Sequence, residues 1–503
     1  MELKGQAFPS LLFTGAPRRG DVPMEVFWDL KLDNLLDYED GGRVTGVMSG
    51  LCPVGDVVRR RELFDEVRKL DAGSQGGIVS GPVRDIADAI GQAAYLMKVC
   101  RGRSGDARAL VYVYLCIEFC RFCGKASELE ARGFFLRRFA DFFRAYRKSD
   151  GFPEFEAEAG RLGELLPGAA FVYRWNSLGG FSDGALEDGS FFDRICERIR
   201  DDTGDLFLGG ADDEGTLSER VSDAFAGKML ALYPDLLKEI RAFYEKYNGF
   251  FDEKTTEYSA EFEFIFRILS LEDELTELGI PLCTPEFSDR REIVAESAYD
   301  LTLIGKDETN IVPNDIFLTE KEPLFFLSGA NGGGKTTYLR AVGANVLLAL
   351  SGARAAAKSL TIGGIDGVYT HFPQDEDYIG EGRFEGAIRR ADRILEQTAV
   401  SPLVLFNETF SSTNELRSRR AIEDYAAKLL RRGAFGVYVT HTAGVKVPGV
   451  GSLICETDGS TRTYRIVRAE NTEGARATDL IEKYGLTPGA LRARFAEREE
   501  DGV

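Results

Sequence analysis

The stretch Gly329-Ala330-Asn331-Gly332-Gly333-Gly334-Lys335-Thr336-Thr337 meets the pattern G-x-x-x-x-G-K-[ST] at every fixed position. The apolar run Pro323–Leu327 before it predicts a short buried strand, and Tyr338-Leu339-Arg340-Ala341-Val342 opens a helical pattern after it. Strand, glycine-rich loop and helix in that order make a phosphate cradle. The glycines let backbone N–H groups turn inward, and the helix N-terminus adds partial positive charge. In such a loop Lys335 reaches the outer phosphates of a nucleotide and the Thr336 hydroxyl sits on Mg²⁺. The motif also constrains the fold, because it works only at the end of a strand in an α/β sheet.

The rest of the C-terminal region agrees. From about Pro281 short apolar runs alternate with helical patterns: Pro323–Leu327, Gly367–Thr370, Leu403–Phe406 and Phe435–Thr440. That alternation predicts an α/β sheet with its ligand at the strand ends. Before it, from Arg59 to Gly279, the pattern is mainly α-helical, with segments at Val83–Arg101, Ala107–Lys125, Gly133–Arg147, Leu217–Tyr247 and Tyr258–Leu278. The last two are long enough to suggest arms or levers. A Gly- and aromatic-rich segment, Gly168–Gly189, contains a predicted strand at Phe171–Trp175, and the acidic tail Glu497–Asp501 is expected to fray. Two domains are therefore expected: residues 1–280 as a mainly helical region with lever-like arms, and residues 281–503 as an α/β nucleotide-binding domain with a helical tail.

Two further strand ends supply partners for a phosphate loop. Ser401–Phe406 reads as a buried strand, and Asn407 and Glu408 emerge from its C-terminal end. Glu408 is placed to act as general base toward water. Asn407 stands where an aspartate usually helps to hold the metal. It can accept a hydrogen bond from a Mg²⁺-bound water but brings no charge, so weaker metal binding is expected. Phe435–Thr440 ends in Thr440-His441-Thr442, and His441 at that tip can sense a γ-phosphate. His371, the only other histidine in the 503 residues, follows Tyr369-Thr370 on a strand tip and receives no role from the sequence.

The net charge of −20 speaks against a protein that coats nucleic acid generally. Basic clusters at Arg59–Arg61, Arg132–Arg147 and Arg417–Arg420 read first as solvated helix faces. No apolar run is long enough to span a bilayer and no secretory leader is evident, so a cytoplasmic protein without a membrane partner is expected. Of eight cysteines, Cys116, Cys120 and Cys123 have the C-x₃-C-x₂-C spacing of an iron–sulfur loop. They lie at i, i+4 and i+7 of a helical pattern, where small buried thiols are the competing and preferred reading.

Together these residues resemble the MutS mismatch-repair ATPases. The loop Gly329–Thr337 does so with its Asn331. So do Pro285–Asp289 through Tyr299, then Ile311-Val312-Pro313-Asn314-Asp315, Gly364–Thr370, Asn407–Asn414, Thr440-His441-Thr442 and Glu482–Leu486, in the family's order. The resemblance covers about residues 281–495. It implies a homodimer of ABC-type ATPases whose two ATP sites lie between subunits, each completed by a signature loop from the other, with ATP controlling how levers and clamps hold DNA. It further implies that Gly329, Ala330, Asn331, Gly332, Gly333, Gly334, Lys335, Thr336 and Thr337 cradle ATP, with Thr336 and Asn407 at Mg²⁺. Glu408 and His441 are then the catalytic pair, and Ile311 and Val312 flank the adenine. The chain departs from the family at Asn407. It departs also at Gly380–Glu385, where the signature serine is missing, and in having no room for both the mismatch-reading domain and its connector. Phe152-Pro153-Glu154 matches the family's mismatch wedge by letters only, in what the sequence suggests is an interhelical turn.

Three functions follow. The first is an ATP-dependent DNA-binding dimer in mismatch repair or related DNA-structure processing, with possible repair-protein partners. The second is a nucleotide-gated dimer whose arms bind a protein partner. The third is a switch that turns ATP over slowly because of Asn407.

Overall fold

The computed structural model describes residues 8–15, 22–36, 43–72, 81–166, 234–250, 253–303, 311–373, 383–397, 401–410, 414–458 and 461–469. The chain divides into two compact units. One comprises Met1–Arg18, Leu36–Glu274 and Leu350–Ala353; the other comprises Arg19–Leu35, Leu275–Ala349 and Arg354–Val503. Gly168–Gly189, residues 217–233 of the predicted Leu217–Tyr247 helix, Gly380–Gly382 and Glu482–Leu486 lie outside the described residues.

The first unit is built from helices at Val54–Asp71, Pro82–Arg101, Gly105–Glu128, Phe134–Tyr146, Phe152–Leu165, Pro234–Tyr247 and Glu257–Glu277. Local chemistry sets their starts. Pro82 occupies the first turn of its helix, where a missing N–H costs nothing, and the Asp71 carboxylate accepts from the free N–H groups of Val83 (3.1 Å) and Arg84 (3.2 Å). The helices bury an aromatic core. Phe139 and Phe143 lie 4.9 Å apart between ring centroids, Phe122 and Phe143 5.0 Å, and Phe155 and Phe250 3.9 Å. Such rings contribute through both area and edge-to-face geometry.

Two sequence expectations are settled here. Phe152-Pro153-Glu154 is not in an interhelical turn. Gly151 takes φ 85°, a left-handed conformation, and turns the chain so that Phe152 heads the next helix. Phe152 is fully buried against Tyr146 and Phe155, and so has no wedge to present. Cys116, Cys120 and Cys123 lie along the single Gly105–Glu128 helix, two of them fully buried. Burial pushes all three thiols up, so the thiolates that a cluster requires are disfavoured. Among the described residues no group of three or more His, Cys, Asp or Glu side chains could hold a metal ion.

The second unit is mixed α/β. Its main sheet has six strands: β4 (Leu324–Ser328), β6 (Gly367–His371), β7 (Pro402–Asn407), β8 (Phe435–Val439), β9 (Val450–Asp458) and β10 (Thr461–Arg468). Their order is β10-β9-β4-β8-β7-β6, parallel throughout except for the final β9–β10 hairpin. Strands β6, β7 and β8 are buried along their whole length, which is why they read as continuous apolar runs. Each large side chain they bury contributes roughly 1.5–3 kcal/mol. A second sheet, β1-β5-β2-β3, comprises Glu286–Phe287, Ser359–Gly363, Glu292–Ala298 and Asn314–Thr319. Its short, alternating strands were not anticipated from the sequence. The short helix Met24–Asp29 also belongs to this unit. Leu30 and Leu405 fill the space that a side chain at Gly343 would need. Among the described residues no helix is long and apolar enough to cross a membrane.

Candidate functional site

Register brings the polar residues together. Leu327 of β4 and Asn407 of β7 each pair with Val439 of β8, in parallel, and His371 of β6 pairs with Phe406 of β7. The chain leaving these strands at one edge therefore carries the 329–337 loop, Asn407-Glu408 and Thr440-His441. The Thr440 N–H donates to the Leu327 carbonyl at 3.0 Å, fixing the histidine turn beside the loop.

The loop turns tightly before its helix, which begins at Lys335, inside the motif and earlier than its apolar pattern suggested. Gly329 has φ 149°, and a Cβ there would lie 2.7 Å from Cys455 Sγ of β9. Gly332 has φ 71°, and a Cβ there would lie 2.9 Å from an Arg462 guanidinium nitrogen of β10. The Gly329 position favours glycine on conformational and steric grounds, and the Gly332 position on conformational grounds, since the flexible Arg462 head could move aside. Ala330, Asn331 and Gly332 are exposed, Gly333 is buried, and Gly334, Thr336 and Thr337 are half-buried. Lys335 is buried, and its ammonium donates to the carbonyls of Gly329 and Ala330, each at 3.0 Å.

Asn407 reaches this loop. Its Nδ2 donates to Thr336 Oγ1 at 3.3 Å, while its Oδ1 is buried without a hydrogen-bond partner. A buried acceptor left open costs about 1–3 kcal/mol unless something donates to it. Thr336 and Asn407 thus offer adjacent neutral oxygens, a donor set that suits a hard cation keeping its own waters.

Glu408 follows with φ 54° and Phe410 with φ 67°, both unusual for residues with side chains. Such backbone costs about 1–3 kcal/mol per residue and survives only where its surroundings fix it. Here the Glu408 N–H donates to the Val439 carbonyl (3.0 Å), the Tyr438 hydroxyl to the Thr409 carbonyl (3.4 Å), and the Ser418 hydroxyl to the Phe410 carbonyl. The result aims the Glu408 carboxylate at His441, with Nε2 and Oε1 2.7 Å apart. A carboxylate accepts, so Nε2 carries the proton and Nδ1 is left open to other partners.

His371 sits differently. It is buried, and its ring contacts Thr409 Oγ1 through Nδ1 (3.2 Å) and the Ala387 carbonyl through Nε2 (3.2 Å). Burial first, and the Arg390 cation second, push it down to about 4. Ile311 and Val312 are half-buried and lead into β3. Asn314 ties that segment to β10, donating to the carbonyls of Val312 (3.4 Å) and Tyr464 (3.1 Å) and accepting from the Ile466 N–H (2.7 Å). Tyr464, at φ 58° in an irregular stretch of the hairpin, is 47% exposed and lies beside Gly334. Nothing in the residue pattern points to Tyr464 or Arg462, which lie more than 120 residues from the loop.

The geometry defines a mixed α/β unit with a glycine-rich loop, a polar strand end and a histidine turn at one sheet edge. Residues 325–446 match the family model for MutS domain V. The chain is 34% identical over 137 residues to an endonuclease MutS2 of Thermus thermophilus, covering 27% of this chain and 18% of that protein. It is 27% identical over 220 residues to a DNA mismatch repair protein MutS of Aquifex pyrophilus (41% and 25%). Against a mitochondrial DNA mismatch repair protein MSH1 of Arabidopsis thaliana it is 29% identical over 179 residues (35% and 15%). Over this region the chain is similar to proteins of the MutS family. The matches span a quarter or less of the length of these relatives.

Proposed function

We propose that the α/β unit is an ABC-type P-loop ATPase, and that a dimer of this chain uses ATP to control how its helical region grips DNA. The observation that carries this reading is the meeting of three separate strand ends at one edge. Asn407 lies 3.3 Å from Thr336, and Glu408 lies 2.7 Å from His441. In this reading Gly329 to Thr337 cradle the phosphates. Lys335 leaves its two loop carbonyls for the outer phosphates, and Thr336 with Asn407 would hold Mg²⁺, which supplies charge neutralisation on the phosphates when bound. Glu408 takes the proton of the attacking water. His441 donates Nε2–H to that carboxylate and orients it beside the γ-phosphate. Ile311 and Val312 with the exposed Tyr464 ring offer apolar faces for the adenine.

Two of these relatives bear DNA mismatch repair names and the third is named an endonuclease, which supports DNA as the partner. The grip would act mainly through phosphates rather than by base-specific wedging, since Phe152 is buried. The charge of −20 favours a second reading, a nucleotide-gated dimer that binds a protein through its helical region. Filter binding of the full chain to duplex, mismatched and branched DNA over a salt series, with ATP, ADP or neither, separates the two. DNA binding should weaken steeply with salt and change with nucleotide. No salt-sensitive binding in any nucleotide state removes the DNA reading and leaves the protein-partner one.

A further inference from the structure

Two hydrogen bonds leave the His371 ring in opposite directions, and both ends matter. Nε2 faces the Ala387 carbonyl, which can only accept. Nε2 therefore carries the proton. The burial that pushes the ring down to about 4 keeps it neutral, so Nδ1 is bare and accepts from the Thr409 hydroxyl. One tautomer satisfies both partners. Rings of Phe406 and Phe410 lie 5.5 and 6.5 Å away and leave the imidazole little room to turn.

Thr409 is the middle residue of the turn that carries Glu408, between two non-glycine residues of positive φ. Ala387 lies on the Arg383–Gln397 helix, which begins within the glycine-rich segment 380–385. The same strand tip is tied to that helix a second time. Thr370 Oγ1 donates to Asp29 Oδ2 (2.6 Å), which also accepts from Arg390 (3.0 Å), and Arg390 donates to the Phe372 carbonyl (2.8 Å). The Asp29 tie ends on the helix and strand. Of these two polar ties the His371 one continues to the carboxylate turn, where Phe384 of the same helix also packs on Phe410 with ring centroids 6.0 Å apart.

We propose that His371 is a positioning residue that couples the Arg383–Gln397 helix to the Glu408 turn, holding the carboxylate where it can accept a proton only while that helix is in place. A shift of the helix, as a second subunit or a nucleotide would impose, then moves Thr409 through a rigid ring rather than through flexible chain. This rests on the reading of Glu408 as the base.

The test is single-turnover ATP hydrolysis by the full chain, with ATP affinity measured separately by fluorescence titration and folding checked by thermal unfolding. His371→Leu removes the ring, and Thr409→Val removes the hydroxyl from the other end while leaving the histidine intact. Each should slow hydrolysis roughly tenfold or more, since small misplacements of a catalytic group are costly, with ATP affinity within about twofold of native. The double variant should be no slower than the slower single one, because both break one connection. Native hydrolysis rates in both single variants, or effects that multiply, overturn the coupling. Should His371→Leu fail to fold, Thr409→Val decides alone. Glu408→Gln serves as the separate control: if it hydrolyses at the native rate, or if the native chain binds ATP without turning it over, the base assignment fails instead, and this inference with it.

Discussion

The helical unit and the sheet edge of the α/β unit use side chains in opposite ways. In the helical unit the large groups face one another: Phe122, Phe139, Phe143, Tyr146 and Phe152 are buried among themselves. Stability there depends on shape, and each ring is held by its neighbours. At the sheet edge the distinctive groups are polar and held by the backbone. Lys335 is satisfied by two carbonyls of its own loop, and Glu408 is carried on a residue of positive φ that the adjoining strand pins. Removing an edge group should damage chemistry and spare the fold. Removing a core ring should do the reverse.

The strongest way to break this contrast is Lys335→Ala. ATP affinity in a fluorescence titration should fall about 100-fold or more, since the loop loses its charged donor to the phosphates. The thermal midpoint should hardly move, because the hydrogen bonds its ammonium donates to Gly329 and Ala330 stay within the loop itself. Undiminished affinity would take the lysine out of the site. The complementary test is Phe143→Ala. It should cost about 3–5 kcal/mol in urea unfolding, because the cavity it leaves is walled by rings that cannot all collapse into it. A cost below about 1 kcal/mol would show that the aromatic cluster is loosely packed and that the contrast is overdrawn.

How far the sequence reveals each region follows from the same difference. The loop, Asn407, Glu408 and His441 were readable because each sits at the end of an apolar run that leads into a polar residue. Parallel strands buried on both faces make such runs unmistakable. The Pro82–Arg101 and Gly105–Glu128 helices were readable to within a few residues from their apolar spacing. The four-stranded sheet was not. Its members are short, half-buried and gathered from distant parts of the chain, with β1 pairing to β5 across more than 70 residues. Nor was the role of the Met24–Asp29 helix, since nothing local in six residues says that Asp29 will meet Arg390. His371 looked idle for the same reason, as both of its partners come from elsewhere. Local chemistry is legible; the meeting of remote groups is decided by tertiary packing.

Acid sharpens the contrast most finely, because His371 in one unit and Glu261 in the other respond to it with opposite sign. His371 is pushed down to about 4 by burial from an ordinary 6.5. Above pH 6.5 it is neutral folded or unfolded and contributes no pH dependence. As the pH falls from 6.5 to 4 the unfolded chain takes up a proton that the folded one refuses, so the α/β unit loses up to about 3 kcal/mol. Glu261 in the helical unit accepts from Ser10 Oγ (2.5 Å) and the Leu11 N–H (2.7 Å), yet burial still pushes it up to about 6 from 4.5. Here the folded chain takes the proton first. The helical unit therefore gains up to about 2 kcal/mol as the pH falls from 6 to 4.5. Calorimetry from pH 7 to 4.5 should show this by subtraction. Against native, His371→Asn should become relatively more stable as the pH falls, while Glu261→Gln should become relatively less stable over the same range. Parallel pH profiles for native and His371→Asn would mean that the ring is hydrated rather than buried, and would remove the rigid tautomer on which its link to Thr409 depends.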